Sequence, residues 1–220
     1  MAYRRTERVL QRLAARHEAI IAAAQAIAME SGLGAVQIVP VAERAGIAAG
    51  TVYRYFPAKT DLVGALIRAV SERETAAVRR AADAAPGPLS ALAAALMTFA
   101  ARALRQRRLA WAVIAEPVDA AVDALRLAAR RGLAAEIEAR VRDAIAGGHL
   151  PEQDTGLAAA ALTGMLLEGL IGPLAPASEA GKSREAVQTL TLLALRALGV
   201  VDARARGLVV QTALPAEDAA

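Results

Sequence analysis

The chain has 220 residues, 56% of them hydrophobic, with much of that excess alanine and with no cysteine at all. That length suits one large domain or a small domain fused to a larger one, and alanine favours helix above every other residue. Disulfide frameworks, thiolate nucleophiles and cysteine-ligated metals are excluded, and the net charge of +4 is uneven: residues 1–62 carry eight Lys/Arg against five Asp/Glu, the remainder eighteen against seventeen.

The first residues, MAYRRTERVLQRLAARHEA, contain no continuous apolar run. This predicts no secretory signal and a cytoplasmic location. Arg4, Arg5 and Arg8 read as a basic arm ahead of the first helix, with Arg12 and Arg16 on it, where positive charge suits phosphate. Across residues 9–31, Leu13, Ile20, Ile21, Ala24, Ile27 and Ala28 recur at helical spacing, and Gly32 and Gly34 end the run. Pro40 fits only the first turn of a helix, so VQIVPVAERAG (36–46) predicts a short helix from residue 39 or 40, stopped by Gly46. A second short helix follows, starting by Gly50 and closed by Pro57. Two short helices joined by a glycine turn make a helix-turn-helix.

The second of those helices holds Tyr53, Tyr55 and Phe56, three of the chain's six aromatic residues. Side chains three and four apart share a helix face, so Val52 and Phe56 form the core side. Thr51, Arg54 and Tyr55 lie around the other sides, with Tyr53 at the flank. Tyrosine hydroxyls and Lys59 suit phosphate oxygens, and Arg54 suits a guanine or a phosphate. Ala48, Ala49 and Gly50 are small enough to let the helix start come close to DNA. Core packing alone explains Phe56, but not the whole constellation.

The stretch VAERAGIAAGTVYRYFPAKTDLV resembles the helix-turn-helix of the TetR family of transcriptional regulators, over roughly residues 18–65. Composition and periodicity predict an all-α protein with a three-helix head (1–60), a larger helical body (61–200) and a weakly patterned tail (201–220) read as partly disordered, and the resemblance implies a DNA-binding head and a ligand-binding and dimerisation body. It also implies that Gln37, Ala48, Gly50, Thr51, Tyr53, Arg54, Tyr55 and Lys59 lie at DNA-meeting positions. Lys59 matches the phosphate-binding lysine. The chain departs from the pattern at Gln37 and Ala48, where the family usually has Ser or Thr, and at Pro40. A lost hydroxyl cap costs about 1 kcal/mol of local helix stability.

Beyond residue 60 the helices lengthen. Thr60 is expected to cap the next helix, with Asp61 in its first turn. Later helices are predicted at 60–85, 89–106, 108–115, 118–146, 154–172 and 183–198, separated at PGP (86–88), Pro117, GGHLP (147–151) and 172–182. Residues 157–170 are apolar all round, more than one buried face requires. With 187–198 they predict a homodimer interface, as one helix-turn-helix reads only a half-site of a two-fold operator. The break at Glu168 and Pro173 argues against a membrane span. The resemblance implies a small-molecule effector pocket in the body, and Met97, Phe99, Arg102, Trp111, Arg126, Met165 and Glu168 are the candidate lining for a hydrophobic or aromatic ligand.

No cofactor or metal site is expected. GKS (181–183) lacks the upstream glycine of a phosphate loop, and His17 and His149 stand far apart. The sequence therefore predicts a ligand-responsive DNA-binding repressor rather than an enzyme. The alternative is a helical interaction protein of the same fold that has lost DNA binding.

Overall fold

Alanine-rich periodicity resolves into ten α-helices and no strand among the described residues, which are 2–116, 120–176 and 182–214 of a computed structural model, with side chains from residue 7 onward. The helices are α1 (Ala2–Ser31), α2 (Ile38–Arg44), α3 (Ala49–Tyr55), α4 (Lys59–Asp83), α5 (Pro88–Arg105), α6 (Arg107–Ile114), α7 (Ala120–Ala146), α8 (Thr155–Leu170), α9 (Ser183–Ala197) and α10 (Asp202–Gln211). A 3₁₀ turn, Leu33–Ala35, joins α1 to α2. The all-α architecture of a small head and a larger body is the one expected. The predicted break at Pro117, much of that at 172–182, and residues 215–220 of the tail lie outside the described residues.

Two apolar clusters organise the chain. In the head, Ile20 and Ala24 of α1, Val41 of α2, Val52 of α3 and Leu62 and Leu66 of α4 are fully enclosed. The body core is built on Leu92 and Leu96 of α5, Ile137 and Val141 of α7, Leu162 and Leu166 of α8 and Leu195 of α9. Burying a side chain of this size contributes about 1.5–3 kcal/mol. α4 belongs to both clusters: Leu62 to Val70 serve the head, and Val78 and Ala82 the body. α6 lies in the body by sequence, yet its Leu109, Ala112 and Val113 pack into the head cluster. The two cores therefore share structural elements.

Three boundaries differ from expectation. The basic arm is helical, because α1 begins at Ala2. α4 begins one residue before Thr60, with Ala58 at the N-cap; Asp61 reaches back so that its carboxylate accepts the Ala58 N–H at 2.9 Å. An acidic third residue thus takes over part of the role assigned to a Thr60 hydroxyl. In the tail, residues 202–211 form α10, which buries Ala205 and Val209 against the body core. Two small apolar residues four apart gave that helix a weak sequence signature.

Candidate nucleic-acid interface

The turn between α2 and α3 is built by Gly46, at φ +65°. Its N–H donates to the Glu43 carbonyl at 3.1 Å, and the Ile47 N–H to the Ala42 carbonyl at 3.0 Å. This paired closure of a helix end favours glycine at the left-handed position. It directs the chain into α3, where Val52 and Phe56 are buried in the head cluster. Tyr53 keeps 52% of its surface exposed, and Arg54 is exposed beside it. Ala48 and Gly50 are also exposed and Thr51 is half-buried. The structure thus gathers six of the expected contact residues on one short helix and its approach.

Tyr55 is placed differently from expectation. It is half-buried against the head cluster, and its hydroxyl lies 3.5 Å from the Leu13 carbonyl of α1. His17 of α1 stacks obliquely on Phe56, with ring centroids 5.2 Å apart. Helical spacing put Tyr55 beside Thr51 on an outer face, but the crossing of α1 covers that side. Tyr53 and Arg54 remain as the outward pair.

Gln37 and Lys59 converge on one backbone group. Gln37 Nε2 donates to the Gly34 carbonyl at 3.1 Å, and Lys59 Nζ donates to the same oxygen at 3.4 Å. The other side of this loop is held by Glu116, just beyond α6. Its carboxylate accepts the Leu33 N–H at 2.9 Å and the Gly34 N–H at 3.2 Å. Gly32 makes room at φ +82°, since a Cβ there would lie 2.8 Å from Glu116 Oε2. Glu116 was not legible as a site residue, because its partners are backbone amides 82 and 83 residues away. On the outside of α2, Arg44 pairs with Glu30 of α1 through two hydrogen bonds of 2.6 and 2.7 Å.

Between the head and the body core lies a cavity of about 60 Å³, walled by α4, α5, α6, α7 and α8. Most of its surface is apolar. Its polar lining includes the pair in which Arg102 of α5 donates to Glu74 of α4 at 2.5 and 3.0 Å. Phe99, Leu109, Val113 and Leu133 supply the apolar walls. Of the seven residues expected around a ligand, Phe99 and Arg102 line this cavity. Met97 is instead fully buried in the body core, and Met165 packs against it. Arg126 is buried on α7 and donates to the Ala112 carbonyl of α6 at 2.7 Å; burial pulls its guanidinium below the usual range, against the nearby Asp123 carboxylate. Trp111 is half-buried on α6, and Glu168 is exposed on α8, both outside the cavity wall. All-helix apolar composition cannot specify which face of each helix meets a void.

Along its exposed face, α8 leaves Leu157 69% exposed, together with Ala160, Ala161 and Gly164. Leu193 of α9 is 51% exposed. Gly169 of α8 packs inward, since a Cβ there would lie 3.1 Å from Leu190 of α9. No helix among the described residues is long and apolar enough to cross a membrane.

Residues 20–66 match the family model of bacterial regulatory proteins, tetR family. The chain is 44% identical over 77 residues to the HTH-type transcriptional repressor KstR of Mycolicibacterium smegmatis, a match covering 35% of this chain and 38% of that repressor. The similarity thus spans little more than a third of the relative's length. Over nearly the whole chain the fold is that of RolR in complex with resorcinol, with TM-score 0.65 at 22% identity, covering 94% of this chain and 98% of RolR. FadR from Bacillus subtilis, solved with stearoyl-CoA, superposes with TM-score 0.66 at 19% identity, covering 79% of this chain and 96% of FadR.

Proposed function

We infer that this chain, which belongs to the TetR family of bacterial regulators through residues 20–66, is a sequence-specific DNA-binding repressor that acts as a homodimer and releases its operator when a small apolar ligand binds the body. The observation that carries the reading is the split of α3. Val52 and Phe56 anchor it in the head core while Arg54 faces solvent on the opposite side and Tyr53 at the flank. A helix held by its inner face and offering a polar outer face is the form that enters a major groove.

In this reading Arg54 reads a base edge, and Tyr53 and Lys59 bind phosphate. The second head comes from a second copy, and the uncovered face of α8 and α9 is where that copy docks. Leu157 and Leu193 would be buried there, and Ala160, Ala161 and Gly164 allow close helix approach.

The ligand reading rests on the cavity. At about 60 Å³ it is smaller than the ~150 Å³ void that holds benzene in a known engineered protein. A single-ring compound therefore has to displace part of this wall, to which α4 and α6 contribute. Both helices also pack into the head core. RolR was solved with resorcinol, a single ring, and a compact ligand of that size suits this cavity better than a long acyl chain.

Selection from a pool of random-sequence duplexes at moderate salt tests the reading. An enriched, two-fold symmetric sequence is expected, bound by two chains. Enrichment of nothing in the presence of competitor DNA would favour the interaction-protein alternative instead.

A further inference from the structure

α1 is 30 residues long, yet only its second half contributes buried residues. Residues 7–19 are all exposed, and burial begins at Ile20. The projecting turns are rich in Ala, Arg, Leu and Glu, all good helix formers, and they extend a helix already nucleated by the head core. They form a stiff extension rather than a loose arm.

Its surface is sorted by charge. Arg8, Arg12 and Arg16 recur every four residues and share one face. At about 100° per residue, Glu7 and Glu18 fall on the other side of the helix, and Val9, Leu10 and Leu13 continue the stripe that packs lower down. The extension starts beside the end of α3: Leu13 meets the Tyr55 hydroxyl, and His17 stacks on Phe56. From Leu13 back to Ala2 the helix rises roughly 16 Å at 1.5 Å per residue, the length of about five base pairs.

We propose that this projecting half of α1 is a second DNA-binding element, whose arginine face lies against the phosphate backbone flanking the half-site that α3 reads. The inference rests on the DNA-binding reading above and deepens it. Three guanidinium groups on one face of a rod match a polyanion, and phosphates bind such groups without regard to sequence. The flanking contact therefore adds affinity and register but no base preference.

The test uses full-length protein and the duplex enriched from the random pool, prepared in two lengths. One ends at the outer edges of the half-sites; the other carries a further helical turn of about 10 base pairs on each side. Wild-type protein is expected to show a steeper dependence of log affinity on log salt with the longer duplex, by about 0.9 for each flanking phosphate engaged. The triple variant Arg8→Ala, Arg12→Ala, Arg16→Ala should lose that difference while selecting the same sequence, with unchanged helix content by circular dichroism. The matching triple lysine variant should restore it. Equal salt slopes on both duplexes for wild-type protein would overturn this inference and leave the operator reading standing. Failure of wild-type protein to enrich any sequence would overturn both. A change from dimer to monomer in the triple alanine variant, read by light scattering, would assign the projecting helix to contact between copies and overturn the DNA role.

Discussion

Glu116 and Gly34 are bonded across 82 residues of chain: the carboxylate, at the end of α6, accepts the Gly34 N–H at 3.2 Å while Gln37 and Lys59 both donate to the Gly34 carbonyl. A body residue thus holds the loop from which two proposed DNA contacts are positioned. Hydrogen bonds to a charged group contribute about 1.5–3 kcal/mol, and this loop is only partly buried. Glu116→Ala should lower stability by about 2 kcal/mol, a fall of roughly 4–8 °C in Tm for a chain of this size. Operator affinity should fall with it and sequence preference should persist. A variant that melts early yet binds DNA as tightly as wild type would show that the loop does not position Gln37 and Lys59.

Gly32 sharpens that test. Any side chain there adopts a left-handed φ of +82° and places its Cβ 2.8 Å from Glu116 Oε2. Gly32→Ala should therefore cost about 1 kcal/mol from backbone strain and more from the displaced carboxylate. In a double-mutant cycle the second component disappears when Glu116 is already alanine, so the two changes should be less than additive. Strict additivity in denaturant melts would mean the carboxylate moves aside freely.

On α3, Arg54→Ala is expected to remove about 1–3 kcal/mol of discrimination at one base pair per half-site. Lys59→Ala and Tyr53→Phe should weaken binding to all sequences alike, since phosphate contacts carry no base information. Tyr55→Phe should change DNA affinity little, because its hydroxyl already faces the Leu13 carbonyl. Competition binding against single-base operator variants separates these patterns. A loss of sequence preference in Lys59→Ala would reverse the assigned roles.

The sequence made the head legible because its signals are local. Gly46 ends α2, Pro57 follows α3, and Val52 with Phe56 mark a core face four residues apart, all within a dozen positions. The register of α3 followed from that. What remained hidden depends on contacts between distant segments. Tyr55 is half-covered because α1 crosses it; Glu116 matters only through amides far back in the chain. In the body, alanine-rich helices look alike on every face, so Met97 and Arg126 read as ligand-facing when they are buried elsewhere. Glu74 was missed for the same reason, as its role comes from Arg102 on the neighbouring helix.

Glu136 on α7 gives a pH prediction. Burial alone would raise its carboxyl, but hydrogen bonds from Arg140 and Arg79 outweigh that and hold it below the ordinary value of 4.5. A carboxyl lowered on folding contributes stability that is present above its unfolded value and lost as pH falls through the folded one. Glu136→Gln should therefore melt earlier than wild type at pH 7. As pH drops below about 4.5, the gap should close, because wild type protonates there and the variant does not. A gap that stays constant from pH 7 to pH 3 would assign the loss to packing rather than to charge.

Ala110 of α6 lines the cavity and is half-buried, next to the single tryptophan, Trp111. Ala110→Phe would fill space that a ligand otherwise takes, and α6 carries that change toward both the head core and Glu116. If the ligand-bound conformation is the one with poorly spaced heads, the phenylalanine should imitate the ligand: operator affinity falls in its absence, by a factor of about 5–150 for a coupling of 1–3 kcal/mol. Screening single-ring aromatic compounds against wild type, by tryptophan fluorescence and thermal stabilisation, supplies the comparison. A compound that binds wild type should weaken operator binding by the same factor by which the operator weakens its own binding, since linkage is reciprocal. It should neither bind the filled variant nor change that variant's DNA affinity further. A filled variant that binds operator normally, together with compounds that bind wild type without touching operator affinity, would detach the cavity from regulation.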